Sequence, residues 1–149
     1  MNRKMRYFAT FVVMTACLTG LHCGDDNPAG PESALVGTWE LISITTLEDG
    51  VTFNAGQTID LGDGATMSMT GTLVITETTY AWSVTVTWTF PGTPPQTETE
   101  RISGTYTVDG STLTLTEDGS GDVETAKFSR TGNRLTIEDD EQKMVLEKK

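Results

Sequence analysis

The sequence predicts an all-β chain: an antiparallel up-and-down β-barrel of about eight strands, with a two-sheet β-sandwich as the alternative. Three observations lead there. Apolar residues alternate with threonine and serine at period two over long stretches. Turn-forming clusters ("EDG", "ET", "PGTPPQ", "VDGS", "DGSG", "RTGN", "DDEQ") cut the chain at short intervals. No helical period outlasts a turn or two. Strands in simple succession, joined mostly by tight turns, close most naturally into a barrel, because closure leaves no exposed edge.

The elements follow in order. Arg3, Lys4 and Arg6 precede the apolar run "YFATFVVMTACLTGL". A basic start and a short apolar stretch mark residues 1–22 as a bacterial export signal of the lipoprotein type. Two cysteines compete for lipidation. Cys17 follows the small Ala16, as the signal peptidase requires, whereas Cys23 follows His22 but leads into the polar tether "GDDNPAGPES". Residues 23–33 read as a flexible linker. The barrel domain occupies 34–149, with strands expected at Gly37–Leu47, Val51–Phe53, Met67–Thr76, Thr79–Phe90, Glu98–Val108, Thr112–Thr116, Glu124–Arg130, Arg134–Glu138 and Gln142–Glu147. Residues 56–66 are expected to form a loop.

Charge and residue types exclude several functions. Without residues 1–22 the chain holds seven basic and 21 acidic residues, a net charge of −14. Binding to nucleic acid or to anionic headgroups needs the opposite sign. The only histidine is His22 and the only cysteines are Cys17 and Cys23, all outside the barrel domain. Cys nucleophiles, Ser-His-acid triads and His- or Cys-based zinc sites are thereby excluded from it. No cofactor, metal or catalytic residue is expected. "DLGDG" and "EDGSGD" lack the full ligand pattern of a calcium loop and read as acidic turns.

The stretch "YAWSVTVTWTF", Tyr80–Phe90, carries the strongest functional signal. A two-residue turn at Glu77–Thr78 sets Ile75 against Tyr80, Leu73 against Trp82, Gly71 against Val84 and Met69 against Val86. On the other side, keeping apolar residues together pairs Trp82 with Tyr106, Val84 with Gly104 and Val86 with Ile102. Later hairpins pair Val108 with Leu113, Phe128 with Leu135, Ile137 with Met144 and Leu135 with Leu146. Gly71 and Gly104 then flank Val84. They either leave a void that a ligand fills or make room for a bulky side chain. Trp88 and Phe90 continue the apolar face against Glu98 and Glu100. This end is either a mouth or an overhanging hairpin.

The motif "LVGTWELISI" resembles the opening of lipocalin-like domains, in which a Gly-x-Trp starts the first strand and the Trp plugs one barrel end. Gly37 and Trp39 hold those places, and "GTYTVDGSTLTL" and "AKFSR" are similar to later strands of small bacterial members. No helix follows the last strand and the loops are short, which departs from the fuller lipocalin pattern. The resemblance implies an arginine from a late strand packed on the plug; Arg130 is the candidate. It also implies a small apolar or amphipathic ligand, bound non-covalently. Met69, Trp82, Val84, Trp88, Phe90, Ile102 and Tyr106 would line the site, with Tyr106, Glu98 and Glu100 placed to orient a polar end. The expected setting is the cell envelope, with the chain anchored to a membrane by lipid outside the cytoplasm. A filled barrel that meets an envelope protein through the Trp88–Phe90 tip is the other reading.

Overall fold

A computed structural model describes residues 34–149. The export segment, Cys17, Cys23 and the linker lie outside the described residues. Ten strands follow in order: β1 Gly37–Thr46, β2 Thr52–Asn54, β3 Thr58–Gly62, β4 Ala65–Ile75, β5 Thr79–Thr89, β6 Gln96–Asp109, β7 Thr112–Glu117, β8 Val123–Thr131, β9 Arg134–Glu138 and β10 Gln142–Lys148. From β4 to β10 each strand pairs antiparallel with the next, β10 pairs with β1, and β1 returns to β4. Eight strands thus close an up-and-down barrel, and β2 and β3 hang on β1 and β4 as extras.

Closure is confined to one end. β1 pairs with β4 only over Gly37–Glu40 against Thr72–Ile75. Beyond that point the two strands fork, β1 taking β2 and β4 taking β3. The connection between β2 and β3 bridges the fork: Ala55 N–H donates to the Ile42 carbonyl and Gly56 N–H to the Met69 carbonyl, both at 2.8 Å. Ile42 sits in a bulge of β1. The extra residue breaks the period of two, so Trp39, Leu41 and Ile44 all point inward. The segment 56–66, expected as a loop, contains β3. Its apolar Leu61 stays exposed, so backbone pairing rather than burial makes the strand.

The β4–β5 register is the expected one at all four inner pairs, Ile75–Tyr80 through Met69–Val86. The β5–β6 register is not. Trp82 pairs with Ile102, Val84 with Glu100, Val86 with Glu98 and Tyr80 with Gly104. This shift shortens the loop and extends the hydrogen-bonded ladder to Trp88–Gln96. It also aligns outer threonines, with Thr85–Thr99 and Thr87–Thr97 hydroxyls 3.0 and 3.1 Å apart. Val108–Leu113, Ile137–Met144 and Leu135–Leu146 pair as expected. Phe128 pairs with Ile137 instead of Leu135, because Gly132 and Asn133 form a two-residue turn. Gly132 takes φ 59°, the left-handed value that this turn needs at its first central position.

Two buried clusters fill the barrel. The larger contains Leu35, Trp39, Leu73, Ile75, Tyr80 and Tyr106 with residues of β7 to β10. The smaller contains Leu41, Ile44 and Met69, flanked by Phe53, Val84 and Val86. Trp82 packs against both.

Candidate functional site

The larger cluster seals one end. Trp39 is fully buried, and its Nε1–H donates to the Leu35 carbonyl at 2.8 Å. The Arg130 guanidinium and the Lys148 ammonium each lie 5.5 Å from the Trp39 ring centroid. Arg130 donates to the carbonyls of Ala34 and Gly132, and Lys148 to that of Val36. Arg130 therefore meets the plug as the resemblance implies. The Gly132–Asn133 turn puts it there, by giving Arg130 the inward phase opposite Leu135. Gly37 takes φ 146°, and a Cβ there would stand 2.7 Å from Lys148 Cε, so a side chain would displace one of the two cations.

The opposite end is open. Its inner face is read from lateral rows, since paired residues share a face. Met67, Trp88 and Gln96 form the outermost row; Met69, Val86 and Glu98 the next; Gly71, Val84 and Glu100 the third. Val84, Val86 and Trp88 are half-buried, Met69 is buried, and Glu98 and Glu100 are exposed. One wall is thus apolar and the facing strand carboxylate-bearing. Phe90 lies just past β5, 40% exposed. Ile102 packs against the larger cluster beside Trp82.

One expectation changes here, and one open alternative is decided. Tyr106 does not stand beside Trp82. It pairs with Leu115 in the sealed half, and its hydroxyl donates to the Thr76 carbonyl at 2.7 Å. Of the two readings of the glycines, the structure supports the one in which they make room for bulky neighbours. A Cβ on Gly71 would meet Trp82 Cη2 at 3.0 Å and Leu41 Cβ at 3.2 Å. A Cβ on Gly104 would meet the Thr116 carbonyl oxygen at 2.0 Å and Tyr80 Cε1 at 2.9 Å. Both glycines make room: Gly71 for Trp82 and Leu41, Gly104 for the Tyr80 ring and a close β7 backbone.

Sequence reasoning missed one group on the inner face. Glu117 pairs with Gly104, which pairs with Tyr80, so all three share a row. Glu124 pairs with Leu115 on the next strand. Both glutamates are half-buried. Burial raises the Glu124 carboxyl above its ordinary value, and Asp139, Glu117, Asp122 and Glu141 raise it further. The Tyr80 phenol is pushed up to about 12, by burial first and then by Glu124, Glu117 and Asp118. The signal was in the alternation: Glu117 continues the inward phase of Leu113 and Leu115, and Glu124 precedes that of Ala126 and Phe128. Two further concavities, of about 330 and about 170 Å³, lie on the outer surface, the larger beside Val74, Ser83 and Arg101.

The backbone is similar to that of a lipocalin-like protein from Bacteroides uniformis ATCC 8492, with a TM-score of 0.48 and 12% identity over 77% of this chain and 98% of that one. An uncharacterized protein from Bacteroides eggerthii DSM 20697 is similar at a TM-score of 0.48 and 12% identity, over 76% and 98% of the two chains. No curated protein matches the chain. The family model described as a lipocalin-like domain matches residues 35–137, and the chain, a barrel plugged by Trp39, belongs to that family.

Proposed function

We propose that the chain is a lipid-anchored, extracytoplasmic binding protein that takes a small apolar or amphipathic molecule non-covalently in the open half of its barrel. One observation carries this reading: the inner face has a sealed half and a half in which Val84, Val86 and Trp88 remain half-buried behind the fork. A purely structural barrel gains nothing from a tryptophan held part-way in water, whereas a ligand that covers it gains apolar burial. Anchoring rests on the basic and apolar N-terminal segment with Cys17 and Cys23.

Binding is tested on the full chain by native mass spectrometry for co-purifying lipid and by tryptophan fluorescence titrated with fatty acids and hydrophobic dyes. A bound species, and a fluorescence response reduced by Trp88→Ala, is expected. No bound species and no response would overturn the reading. Anchoring is tested by labelling cells with a clickable fatty acid. Label should enter the wild-type chain and be lost in Cys17→Ser or in Cys23→Ser. The exposed Phe90 beside the mouth favours a second reading, an envelope protein partner. That reading predicts a pull-down partner lost on Phe90→Ala while ligand binding is unchanged.

A further inference from the structure

We infer that the open rim of the barrel is the docking face for a basic protein, one that sets lysines and arginines around an apolar centre and seats that centre over Leu47, Val51, Leu61, Phe90 and Val123. This rests on the partner reading above and names the partner's chemistry. It needs no ligand in the barrel.

Three observations carry it. The first is where the exposed apolar side chains stand. β1 leaves the closed end at Gly37, and the strands alternate in direction. The segments 47–51, 60–64, 90–95, 117–123 and 139–141 therefore all lie at the open end. Six large apolar residues are exposed among the described residues, and five of them fall in these segments. Only Val74 lies elsewhere, on β4 beside Ala81. Neighbouring segments touch. The Leu47 N–H donates to the Glu141 carbonyl at 2.7 Å, and a Cβ on Gly64 would meet Pro91 Cγ at 3.0 Å. Apolar residues gathered on one polar-edged surface mark a contact face, whereas single ones scattered over a protein carry no such meaning.

The second is charge. The same segments hold ten carboxylates and no lysine or arginine. Some of the acids cap their own turns: Asp60 accepts from the Gly62 N–H and Asp139 from the Gln142 N–H, both at 2.8 Å. Such hydrogen bonds favour the ionised carboxylate, so capping leaves the negative field in place. Among the described residues the ion pairs Lys143–Glu138 and Lys149–Glu40 use no acid of the rim. Arg130, Arg134, Lys148 and Lys149 all stand at the sealed end.

The third is what this charge selects. A second copy would bring the same carboxylates against the rim and be repelled, as would an anionic bilayer surface. A basic protein surface is complementary to it. An apolar centre inside a polar border is also the ordinary anatomy of a protein contact. The point of attachment agrees. Residues 1–33 join the barrel at Ala34, whose carbonyl accepts from Arg130 beside Trp39, so the rim lies at the far end from that junction.

The test titrates the full chain into dye-labelled peptides and reads fluorescence anisotropy. The probes are an amphipathic leucine–lysine peptide, its leucine–glutamate counterpart of the same length, and oligolysine. The leucine–lysine peptide is expected to bind about tenfold tighter or better than either of the others. Its affinity should fall as salt rises, because exposed charges are screened. Glu48→Gln/Asp140→Asn should weaken it several-fold, and so should Leu47→Ser/Val123→Ser. Glu77→Gln/Asp109→Asn, the same change in net charge at the sealed end, should leave it unchanged. Thermal melts check that each variant folds. Binding to vesicles of phosphatidylcholine and phosphatidylglycerol should be the same for the wild-type chain and both rim variants. A leucine–lysine peptide that does not bind, that binds no tighter than the other two probes, or that loses as much affinity in the sealed-end variant would overturn the inference. Vesicle binding lost in Leu47→Ser/Val123→Ser would assign the rim to a membrane and overturn it as well. The partner reading itself stands or falls separately, on the Phe90→Ala pull-down.

Discussion

At the Trp39 end of the barrel, the plug and its partners Leu35, Leu135 and Leu146 are fully buried, and the Trp39 N–H and both neighbouring cations have named acceptors. At the Trp88 end the same alternating strands carry half-exposed apolar residues on one wall and exposed carboxylates on the other. Both ends come from the same sequence pattern, threonine outside and apolar inside. They differ in whether the inner residues find partners. Four residues of β1–β4 pairing close the first end, and the fork holds the second apart. Stability belongs to the first end. The second is where inner apolar residues stay half-exposed.

The contrast can be broken by mutation. The largest effect is expected for Trp39→Ala, which empties a fully buried site and should cost about 3–5 kcal/mol in urea denaturation. Trp88→Ala should cost about 1 kcal/mol, since that ring is half in water already. If the two costs were equal, the division into sealed and open halves would be wrong. Next comes Gly104→Ala, at the boundary between the halves. A methyl group 2.0 Å from the Thr116 carbonyl must push β6 from β7, a cost of about 1–3 kcal/mol measurable as a lowered Tm.

Arg130→Ala should lose about 1–2 kcal/mol, through the uncapped Ala34 and Gly132 carbonyls and the cation removed from over Trp39. Smaller still, and opposite in sign, is Glu124→Gln. The folded chain holds the Glu124 proton more tightly than the unfolded chain does, because the carboxyl lies above its ordinary value of 4.5 when folded. This group therefore makes the fold less stable as pH rises from 4.5 through the raised value, and more stable on the way down. Glu124→Gln should raise stability near neutral pH by less than about 1 kcal/mol and flatten that part of the Tm–pH curve.

The smallest effect sharpens the contrast most. Tyr80→Phe removes a hydroxyl without a partner, so stability should change by less than about 0.5 kcal/mol. Tyr106→Phe, which removes the hydrogen bond to Thr76, should cost about 1 kcal/mol. In ultraviolet titration, one tyrosine should keep its proton until about pH 12, and Tyr80→Phe should abolish that step.

Much of the fold was legible along the chain. The Glu77–Thr78 turn is short enough to set the whole β4–β5 register, and the later hairpins around Val108–Leu113 and Leu135–Leu146 follow the same rule. The β5–β6 pairing was not legible, because its loop is long enough to permit several registers. Matching apolar residues chose Tyr106 for Trp82, whereas backbone pairing and the threonine ladders chose Ile102. β3 escaped because an exposed strand at the fork carries no burial pattern. Of the candidate site, Trp82, Val84 and Trp88 were visible as one alternating strip. Glu117 and Glu124 were not visible as partners of Tyr80, since three strand registers must be known before these residues share a row.

The sequence by itself determined which residues extend, where the chain turns, and which side of each strand is apolar, because alternation and turn chemistry act over a few neighbouring residues. The tertiary structure alone decided which inner residues meet. A slip of two residues keeps every side chain on its face but replaces its neighbour, and such choices accumulate around a barrel. They decide that Arg130 reaches Trp39, that Gly104 yields to Tyr80, and that Glu117 and Glu124 share the inner face.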